Sequence, residues 1–371
     1  MMFPTYIRRN MKNLILLFGG DSCEHDVSVI TALSVYNSIK DVCRILPIYV
    51  KNNTFFMCKK TLKIDKIVNF SQKNFYEIGF ASNCLYFVGR RKKKIPVYCA
   101  VNCCHGGNGE NGALAGTLDM VGIPQTSPDV YQSALFMDKA FTKYFLEKKK
   151  FSVVPYRVVT KNDFEAAREL AFPLIVKPAT QGSSIGITVA ETEDELSEAI
   201  EFASKFDKKI LVEKALVGFT ELNCAAYKKG DEIIVSEVEK IVSDKKYYDF
   251  ASKYVKNDVS REIPAKIDDK MTERVKNLTR SLYVASELKG VVRVDFLLSA
   301  TGKLYVNEVN TVPGSLAFYL FKGKGGIRRI VFDTVSECRA DFEENAKLIK
   351  DYSGDVLSNF DEGKLEMGVK K

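Results

Sequence analysis

Three oxygen-bearing side chains lie close together in the last third of the sequence, on two predicted strands. Asp295 lies on the first strand, and Glu308 and Asn310 lie two residues apart on the second. Because alternate residues of a strand project from one face, Glu308 and Asn310 point the same way. Carboxylate and amide oxygens suit Mg²⁺ shared with substrate phosphates better than they suit zinc. A salt-bridged hairpin is the alternative, but the strand breaks directly afterwards, at residues 311–314, as the rim of a site would.

Cationic side chains accompany this group. Arg293 lies two residues before Asp295 on the same strand face, where a guanidinium can stabilise a developing oxyanion or a transferring phosphoryl group. Lys177 ends an apolar segment and is followed by the small-residue loop GSSIG at 182–186. A lysine and exposed backbone amides suit a polyphosphate, although an ordinary tight hairpin explains the loop equally well. No G-x-x-x-x-G-K-[ST] sequence occurs, which excludes a P-loop.

The two histidines of the chain, His25 and His105, both lie in glycine-rich turns that follow predicted strands. A single histidine is most often structural. Loops at the carboxyl ends of parallel strands, however, are where α/β folds place ligands. A structural role and a role in a site both stay open for these residues.

Composition restricts the class of protein. The chain has 371 residues, of which 46% are hydrophobic and 27% charged, enough for two or three compact units. Its net charge of +8 is concentrated only at 90–94 and 148–150, two runs that we expect to be solvated, and no nucleic-acid partner is expected. Nine cysteines without C-x-x-C spacing favour reduced, buried thiols over a disulfide scaffold or a zinc site.

The apolar segments are too short for a bilayer span. The first strongly apolar run, 14–18, ends at two glycines and lacks a signal-peptide cleavage pattern, so we expect a cytoplasmic protein. Apolar runs predict the strands that must carry the polar groups, and the spacing i, i+4, i+7 predicts the helices between them. The predicted strands are 14–18, 45–50, 97–102, 174–177, 187–190, 210–213, 222–227, 232–239, 291–298 and 304–310. The predicted helices are 26–40, 129–149, 193–205 and 270–288.

Six short motifs, in order along the chain, resemble those of the D-alanine–D-alanine ligase family of the ATP-grasp superfamily. The motifs are HGGNGENG at 105–112, MDK at 137–139, KP with GSSIG at 177–186, KY at 253–254, RVDF at 293–296 and EVNTVPG at 308–314. The resemblance covers residues 11–320. It implies a mixed α/β (α+β) ATP-grasp fold of three units. These are an N-terminal parallel-sheet unit (1–127), a central unit (128–214) and a C-terminal unit (215–371).

The resemblance also implies how ATP is held. Lys139 and Lys177 would bind the phosphates, while a loop within 247–259 would close over the site. The remaining implied contacts are Glu213 and Leu216 at the adenine, Glu221 at the ribose, Asp295, Glu308 and Asn310 on two Mg²⁺ ions (Mn²⁺ being an alternative), Lys253 at a phosphate, and Tyr254 at Ser183.

The implied reaction joins two D-alanines for peptidoglycan precursor synthesis. One carboxylate attacks the γ-phosphoryl group of ATP, and the amine of a second D-alanine attacks the resulting acyl phosphate. Arg293 and the amide of Gly314 would stabilise the oxyanion. Asp26 would hold the ammonium of the first D-alanine, and His105 would lie near the second. The family also implies a homodimer.

The sequence departs from the family pattern at several positions. Asp26 stands where the family has glutamate, Asn111 stands where it has aspartate, and the segment before Glu221 is one residue longer. The stretch SLAFY at 315–319 replaces the residues that receive the carboxylate of the second amino acid. Ser315 and Tyr319 are therefore candidate hydroxyl donors there, with core packing equally open for Tyr319.

These departures leave the acceptor open, as D-alanine, D-serine, D-lactate, another amino acid or a peptide. A non-enzymatic nucleotide-binding protein is the alternative from another class. Such a protein is expected to have lost at least one of Arg293, Asp295, Glu308 and Asn310, and all four are present.

Overall fold

Three β-sheets, of seven, four and six strands, organise the chain. The structure is a computed structural model that describes residues 13–242, 260–321, 323 and 325–349, and for residues 90–92 it describes the backbone alone. The predicted residues Lys253 and Tyr254 therefore lie outside the described residues. Within the described part, no helix is long and apolar enough to cross a membrane.

The first sheet is mixed rather than parallel throughout. Strand β1 (Leu14–Gly19) lies between β2 (Ile45–Lys51) and β7 (Cys99–Asn102), and these three strands are parallel, as predicted. Four more strands extend the sheet from β2 in antiparallel order. These added strands are β3 (Thr54–Cys58), β4 (Phe75–Ala81), β5 (Cys84–Phe87) and β6 (Arg90–Pro96).

Tight turns explain why the added strands are antiparallel. Asn52 and Asn53, between β2 and β3, both have the left-handed backbone of a two-residue hairpin turn, with φ of 48° and 55°. Ser82 and Asn83 repeat this turn between β4 and β5. Such a turn can only join antiparallel neighbours. The description of the N-terminal unit as a parallel-sheet unit is therefore corrected to a mixed sheet.

Helices cover both faces of this first sheet. Leu14, Leu16 and Phe18 of β1 pack on one face with α1 (His25–Ile39) and with a C-terminal helix, Gly326–Asn345, that the sequence analysis did not predict. Ile15 and Leu17 pack on the other face, against the helix Ala113–Met120. A strand buried on both faces explains the continuous apolar run. In chain order the further helices are α2 (Ile64–Val68), α3 (Gly107–Glu110), α4 (Ala113–Met120), α5 (Val130–Met137), α6 (Lys139–Lys148), α7 (Glu193–Ala203), α8 (Asp269–Ala285) and α9 (Gly326–Asn345).

The single helix predicted at 129–149 is two helices, α5 and α6. Asp138 lies between them with extended backbone, and its carboxylate accepts hydrogen bonds from the amides of Ala140 and Phe141 at 2.9 and 3.1 Å. An aspartate in this position caps the helix that follows it. The cap begins α6 at Lys139 and so determines where that lysine lies.

The second and third sheets carry the other polar groups. In chain order their strands are β8 (Tyr156–Val159), β9 (Leu174–Pro178), β10 (Thr188–Ala190), β11 (Ile210–Lys214), β12 (Thr220–Lys229), β13 (Glu232–Val235), β14 (Glu239–Val242), β15 (Ser260–Glu262), β16 (Val292–Leu298) and β17 (Leu304–Asn310). The second sheet has the strand order β10-β9-β11-β8, and the third has the order β15-β14-β12-β16-β17 with β13 paired to β12. The predicted strand 232–239 is shorter in the structure: β13 ends at Val235, and β14 begins at Glu239. The boundaries of the three expected units stay a prediction.

Gly290 is the glycine at which we expect a substitution to destabilise the protein most. Its φ is +65°, and a Cβ there would lie 1.9 Å from the carbonyl oxygen of Thr126. We expect Gly290→Ala to lower the free energy of unfolding by at least about 3 kcal/mol, since backbone strain adds to a clash with backbone. Gly302→Ala is the matched control, because Gly302 has φ +78° with no atom within 4 Å of its Cβ. Melting temperatures that fall equally in both variants would contradict this account.

Candidate active site

A cleft of about 320 Å³ lies between the second and third sheets and is closed at one end by loops of the first. Lys177 from β9 and Glu213 from β11 line one wall, and Asp295 from β16 and Glu308 from β17 line the other. Most of the residues singled out from sequence meet here. The predicted site residues that line the cleft are His105, Lys139, Lys177, Ser183, Glu213, Leu216, Glu221, Arg293, Asp295, Glu308, Asn310, Gly314, Ser315 and Tyr319.

The hairpin of β16 and β17 brings the oxygen ligands together as predicted. Asp295 pairs directly with Glu308 across the two strands, and Asn310 Nδ2 lies 3.1 Å from Asp295 Oδ2. The register shifts between Asp295 and Phe296, so that the chain bulges at Asn307. Because a bulge turns an extra side chain toward the same face, Asn307 also lines the cleft. The sequence analysis did not identify Asn307, because a strict period of two hides a bulge.

This set fits a divalent cation that prefers oxygen ligands. Two carboxylates and an amide lie on one face of the hairpin, and each carboxylate has a cation beside it. Arg293 donates two hydrogen bonds to Asp295, at 2.6 and 2.8 Å, and Lys139 Nζ lies 3.2 Å from Glu308 Oε1. Burial disfavours the charge on Arg293, but the carboxylate of Asp295 outweighs it and raises the pKa of Arg293 above its ordinary value. Arg293 and Lys139 therefore lie beside the carboxylate oxygens of the hairpin, and a divalent cation would compete with them for these oxygens.

A buried triad of charges forms the opposite wall. Glu213 lies between the ammonium groups of Lys143 and Lys177 and pairs with both, and its side chain is 4% exposed. Burial alone would raise the pKa of this carboxyl, but the two lysines outweigh burial and lower it to about 2. Lys143 lies on α6, four residues after Lys139 and so on the same helix face. Sequence reasoning missed Lys143, although this spacing was available to find it.

The loop GSSIG at 182–186 lies over the end of the cleft that contains Lys139. Lys139 Nζ donates a hydrogen bond to the carbonyl of Gln181 at 2.6 Å, and the amide of Ile185 donates to the carbonyl of Gly182 at 3.1 Å. Ser183 and Ser184 both have left-handed backbone, with φ of 53° and 59°. A conformation of this kind costs free energy at non-glycine residues and is typical of functional loops.

Glu24, not Asp26, lines the cleft beside the loop at 182–186. The hydroxyl of Ser183 donates a hydrogen bond to Glu24 Oε1, and Glu24 lines the cleft. Asp26 lies in the first turn of α1, where its side chain is 95% exposed and pairs with His25 Nδ1 at 2.8 Å. Glu24 and Asp26 are two positions apart at the start of α1, and side chains at this spacing do not face the same way. The predicted position of Asp26 in the cleft is therefore corrected: Glu24 lies there instead.

His105 is buried and links helix α1 to the loop that follows β17 through two hydrogen bonds. One ring nitrogen, Nδ1, lies 2.7 Å from the carbonyl oxygen of Val312, and Nε2 lies 2.9 Å from Thr31 Oγ1. Burial lowers the pKa of His105 to about 4, although the hydrogen bond to Val312 opposes this shift. The imidazole is thus neutral at pH 7, and both its nitrogens are used within the protein.

The stretch at 315–319 is held in an unusual conformation. Ser315, Leu316 and Ala317 all have left-handed backbone, with φ of 52°, 44° and 49°. The amide of Ser315 donates to Thr31 Oγ1 at 3.1 Å, which ties the stretch to α1 and, through Thr31, to His105. Tyr319 lines the cleft, and its hydroxyl donates to Glu239 Oε2 at 3.2 Å.

Glu110 is a further, half-buried acid that the sequence analysis passed over. Its carboxylate accepts hydrogen bonds from the amides of Gly106 and Val312, at 3.0 and 2.9 Å, and from the hydroxyl of Thr311 at 3.2 Å. Burial and the nearby carboxylate of Glu24 raise its pKa to about 7, against those hydrogen bonds. Its place within the motif HGGNGENG, directly after Gly109, was the signal available in the sequence.

The far end of the cleft is apolar. Leu216 and Glu221 line the cleft together with apolar side chains from α5, β9, β10, β16 and the loops between elements, a lining that suits a flat aromatic ring. The apolar residues that line this end, none of them singled out from sequence, are Phe136, Val154, Ile175, Ile187, Val189, Phe219 and Leu297.

Comparison with known proteins finds this sequence pattern in one family. A family model described as "D-ala D-ala ligase N-terminus" matches residues 13–128, and one described as "D-ala D-ala ligase C-terminus" matches residues 145–324. A D-alanine--D-alanine ligase of Thermosipho africanus is 38% identical over 333 residues, which are 85% of this chain and 89% of the relative. One of Clostridium acetobutylicum is 34% identical over 84% of this chain and 91% of the relative.

Solved structures share the fold. VanG D-Ala:D-Ser ligase from Enterococcus faecalis superposes with a TM-score of 0.78 at 29% identity, covering 88% of this chain and 99% of that one. The D-alanine-D-alanine ligase from Coxiella burnetii superposes with a TM-score of 0.80 at 22% identity, covering 91% and 97%. These likenesses confirm the mixed α/β fold of the ATP-grasp type.

The neutral, buried state of His105 predicts a specific pH dependence. Between pH 6.5 and about 4 the unfolded chain binds a proton at this position that the folded chain does not. The free energy of unfolding should therefore fall as the pH drops through this window, by about 3 kcal/mol for this group. His105→Gln removes the titration, so denaturant unfolding at a series of pH values should show a shallower fall than in the unaltered protein. His25→Gln is the control; equal falls in the His105 variant and the unaltered protein would contradict the prediction.

Proposed function

This chain belongs to the D-alanine–D-alanine ligase family, and we propose that its cleft joins two D-alanine molecules in an ATP-dependent, ADP-forming reaction. The observation that supports this best is the meeting of the hard-oxygen hairpin and the two predicted phosphate-binding lysines across one cleft. In this proposal the product serves peptidoglycan precursor synthesis. The enzyme acts as a homodimer in the cytoplasm, where ATP is available.

ATP lies along the cleft in this proposal. Its adenine enters the apolar end beside Leu216 and beside Glu213 of β11, and its ribose faces Glu221. Lys139 and Lys177 bind its phosphates; each ammonium group lies in the cleft beside a carboxylate of the wall, Glu308 and Glu213 respectively. The loop at 182–186 and the segment containing Lys253 and Tyr254 cover the phosphates and exclude water, which would hydrolyse an acyl phosphate.

A family that uses ATP needs a divalent metal, and we propose that Asp295, Glu308 and Asn310 hold two Mg²⁺ ions. When bound, the ions neutralise the phosphate charge that would otherwise repel an attacking carboxylate. Asn307, at the bulge, also lines the cleft and offers a further amide oxygen.

The chain's own residues then position the two amino acids. Glu24, held by Ser183, binds the ammonium of the first D-alanine and so points its carboxylate toward the γ-phosphoryl group. After phosphoryl transfer, Arg293 and the amide of Gly314 stabilise the oxyanion that forms when the second amine attacks. No side chain needs to act as a nucleophile.

The acceptor is the less determined substrate. The likeness to a D-Ala:D-Ser ligase and the altered stretch at 315–319 favour D-serine as the second candidate. ADP release from purified protein should be measured across D- and L-amino acids and D-lactate, with mass detection of the product. D-alanyl-D-alanine as the main product supports the proposal, and ADP release that no amino acid stimulates would refute it.

Removal of one oxygen ligand should stop the reaction without unfolding the chain. We expect Asp295→Asn or Glu308→Gln to lower ligation by at least about a hundredfold, because each deletes charge from the metal-binding set. Glu201→Gln is the control, since Glu201 pairs with Lys161 at the surface. Turnover and melting temperature should be measured together. Unchanged turnover in either hairpin variant would overturn the metal assignment.

The correction from Asp26 to Glu24 gives a matched pair of variants. Loss of a charged hydrogen bond to the ammonium should make Glu24→Gln about ten- to a hundredfold poorer in kcat/KM for D-alanine. Asp26→Asn should stay within about twofold, because that side chain lies in solvent. Steady-state kinetics at saturating ATP test both. The reverse order of the two losses would restore Asp26 to the site.

A further inference from the structure

The end of the cleft beside Tyr319 contains a charged cluster that the proposed reaction leaves unexplained. Glu239, at the start of β14, has a fully buried side chain. It accepts hydrogen bonds from Asn223 Nδ2 at 2.9 Å, from the hydroxyl of Tyr319 at 3.2 Å and from Arg261 Nη1 at 3.4 Å. A buried carboxylate costs free energy unless it is paired, and these three hydrogen-bond donors are therefore held at Glu239.

Arg261 is the residue that this carboxylate holds. It lies on β15, opposite Ile241 of β14, and its guanidinium stands 5.5 Å from the centre of the Tyr319 ring. Stacking on Tyr319 and the bond to Glu239 restrict the side chain from two sides. Arg261 nevertheless remains 54% exposed and lines the cleft, together with Arg293 and Ser315. A guanidinium has five N–H donors, so it can bond to Glu239 and to an incoming anion at once.

The other described cations that line the cleft are paired with acids of the cleft wall or lie at another part of it. Lys139 lies beside Glu308, Lys177 pairs with Glu213, and Arg293 donates two hydrogen bonds to Asp295. Lys214 ends β11, on the wall of the adenine end. Arg261 is therefore the described cation at the Ser315–Tyr319 end of the cleft to which the proposed reaction gives no role.

An amino acid that enters as the acceptor brings a carboxylate as well as an amine. Its carboxylate must leave water for a cleft end behind which the carboxylate of Glu239 is buried, so it requires a cation there. A planar guanidinium matches a carboxylate with two parallel hydrogen bonds. We infer that Arg261, oriented by Glu239 and Tyr319, binds the α-carboxylate of the acceptor and so selects amino acids over uncharged amines. This inference rests on the proposed function, which assigns no cation to the acceptor's carboxylate.

A competition between two acceptors tests the inference. The enzyme, ATP and Mg²⁺ are incubated with D-alanine and an excess of D-alaninamide, which keeps the amine but lacks the negative charge. Mass detection gives the ratio of D-alanyl-D-alanine to D-alanyl-D-alaninamide. Because both products share the same donor, nucleotide and active fraction of enzyme, these cancel from the ratio.

We expect Arg261→Met to lower this ratio by about ten- to a hundredfold relative to the unaltered enzyme, because it removes a charged hydrogen bond to one acceptor alone. Arg261→Lys should fall between the two. Arg157→Met is the matched control, since Arg157 is also part-exposed, at 41%, and pairs with Glu169 away from the cleft. Its ratio should not change.

Three outcomes overturn the inference. The first is an unchanged ratio in Arg261→Met. The second is equal loss of both products while hydroxylamine still traps the acyl phosphate as a hydroxamate, which would assign Arg261 to acceptor binding in general. The third is loss of the hydroxamate too, which would assign it to the first half-reaction. If the unaltered enzyme forms neither dipeptide nor hydroxamate, the proposed function itself fails.

Discussion

Charge compensation in a partly dehydrated cleft is the constraint on which the rest of this structure depends. Six of the described acidic side chains line the cleft, and water alone could not stabilise so many close together. Asp295 is paired with Arg293, Glu308 lies beside Lys139, and Glu213 lies between two lysines. Glu24 and Glu110 accept hydrogen bonds, and the sixth acid is Glu221 on β12. Cations and hydrogen-bond donors of the protein thus compensate the negative charge of the cleft.

The same constraint joins the three sheets. Glu110, from the first sheet's loops, binds the amide of Val312 just beyond the last strand of the third, and His105 binds the carbonyl of that residue. Thr31 on α1 holds the amide of Ser315. These bonds place the end of the cleft beside Val312 and Ser315 against the loops and helix α1 of the first sheet. They also hold a run of left-handed residues that would be unfavourable in isolation.

Several errors of the sequence analysis have a common physical cause. The resemblance puts Asp26 at the family's glutamate position, but residue types alone do not reveal which of the two acids, Glu24 or Asp26, precedes the first helical turn. The helix begins at His25, which leaves Glu24 facing the cleft and Asp26 facing solvent. The four antiparallel strands were missed, although the turn pair Asn52-Asn53 was a usable signal. Helix α9 was missed as well, and it packs on the first sheet far from its sequence neighbours.

What the sequence determined by itself was local. The apolar runs specified the strands of the cleft, and the period of two placed Glu308 and Asn310 on one face, because both depend on neighbours within a few residues. Tertiary structure alone decided which side chains meet. The pairing of Lys143 with Glu213, the clamp of Glu239 on Arg261 and the bulge at Asn307 join residues through register and burial. Their free energies depend on dehydration, which exists only once the sheets have come together.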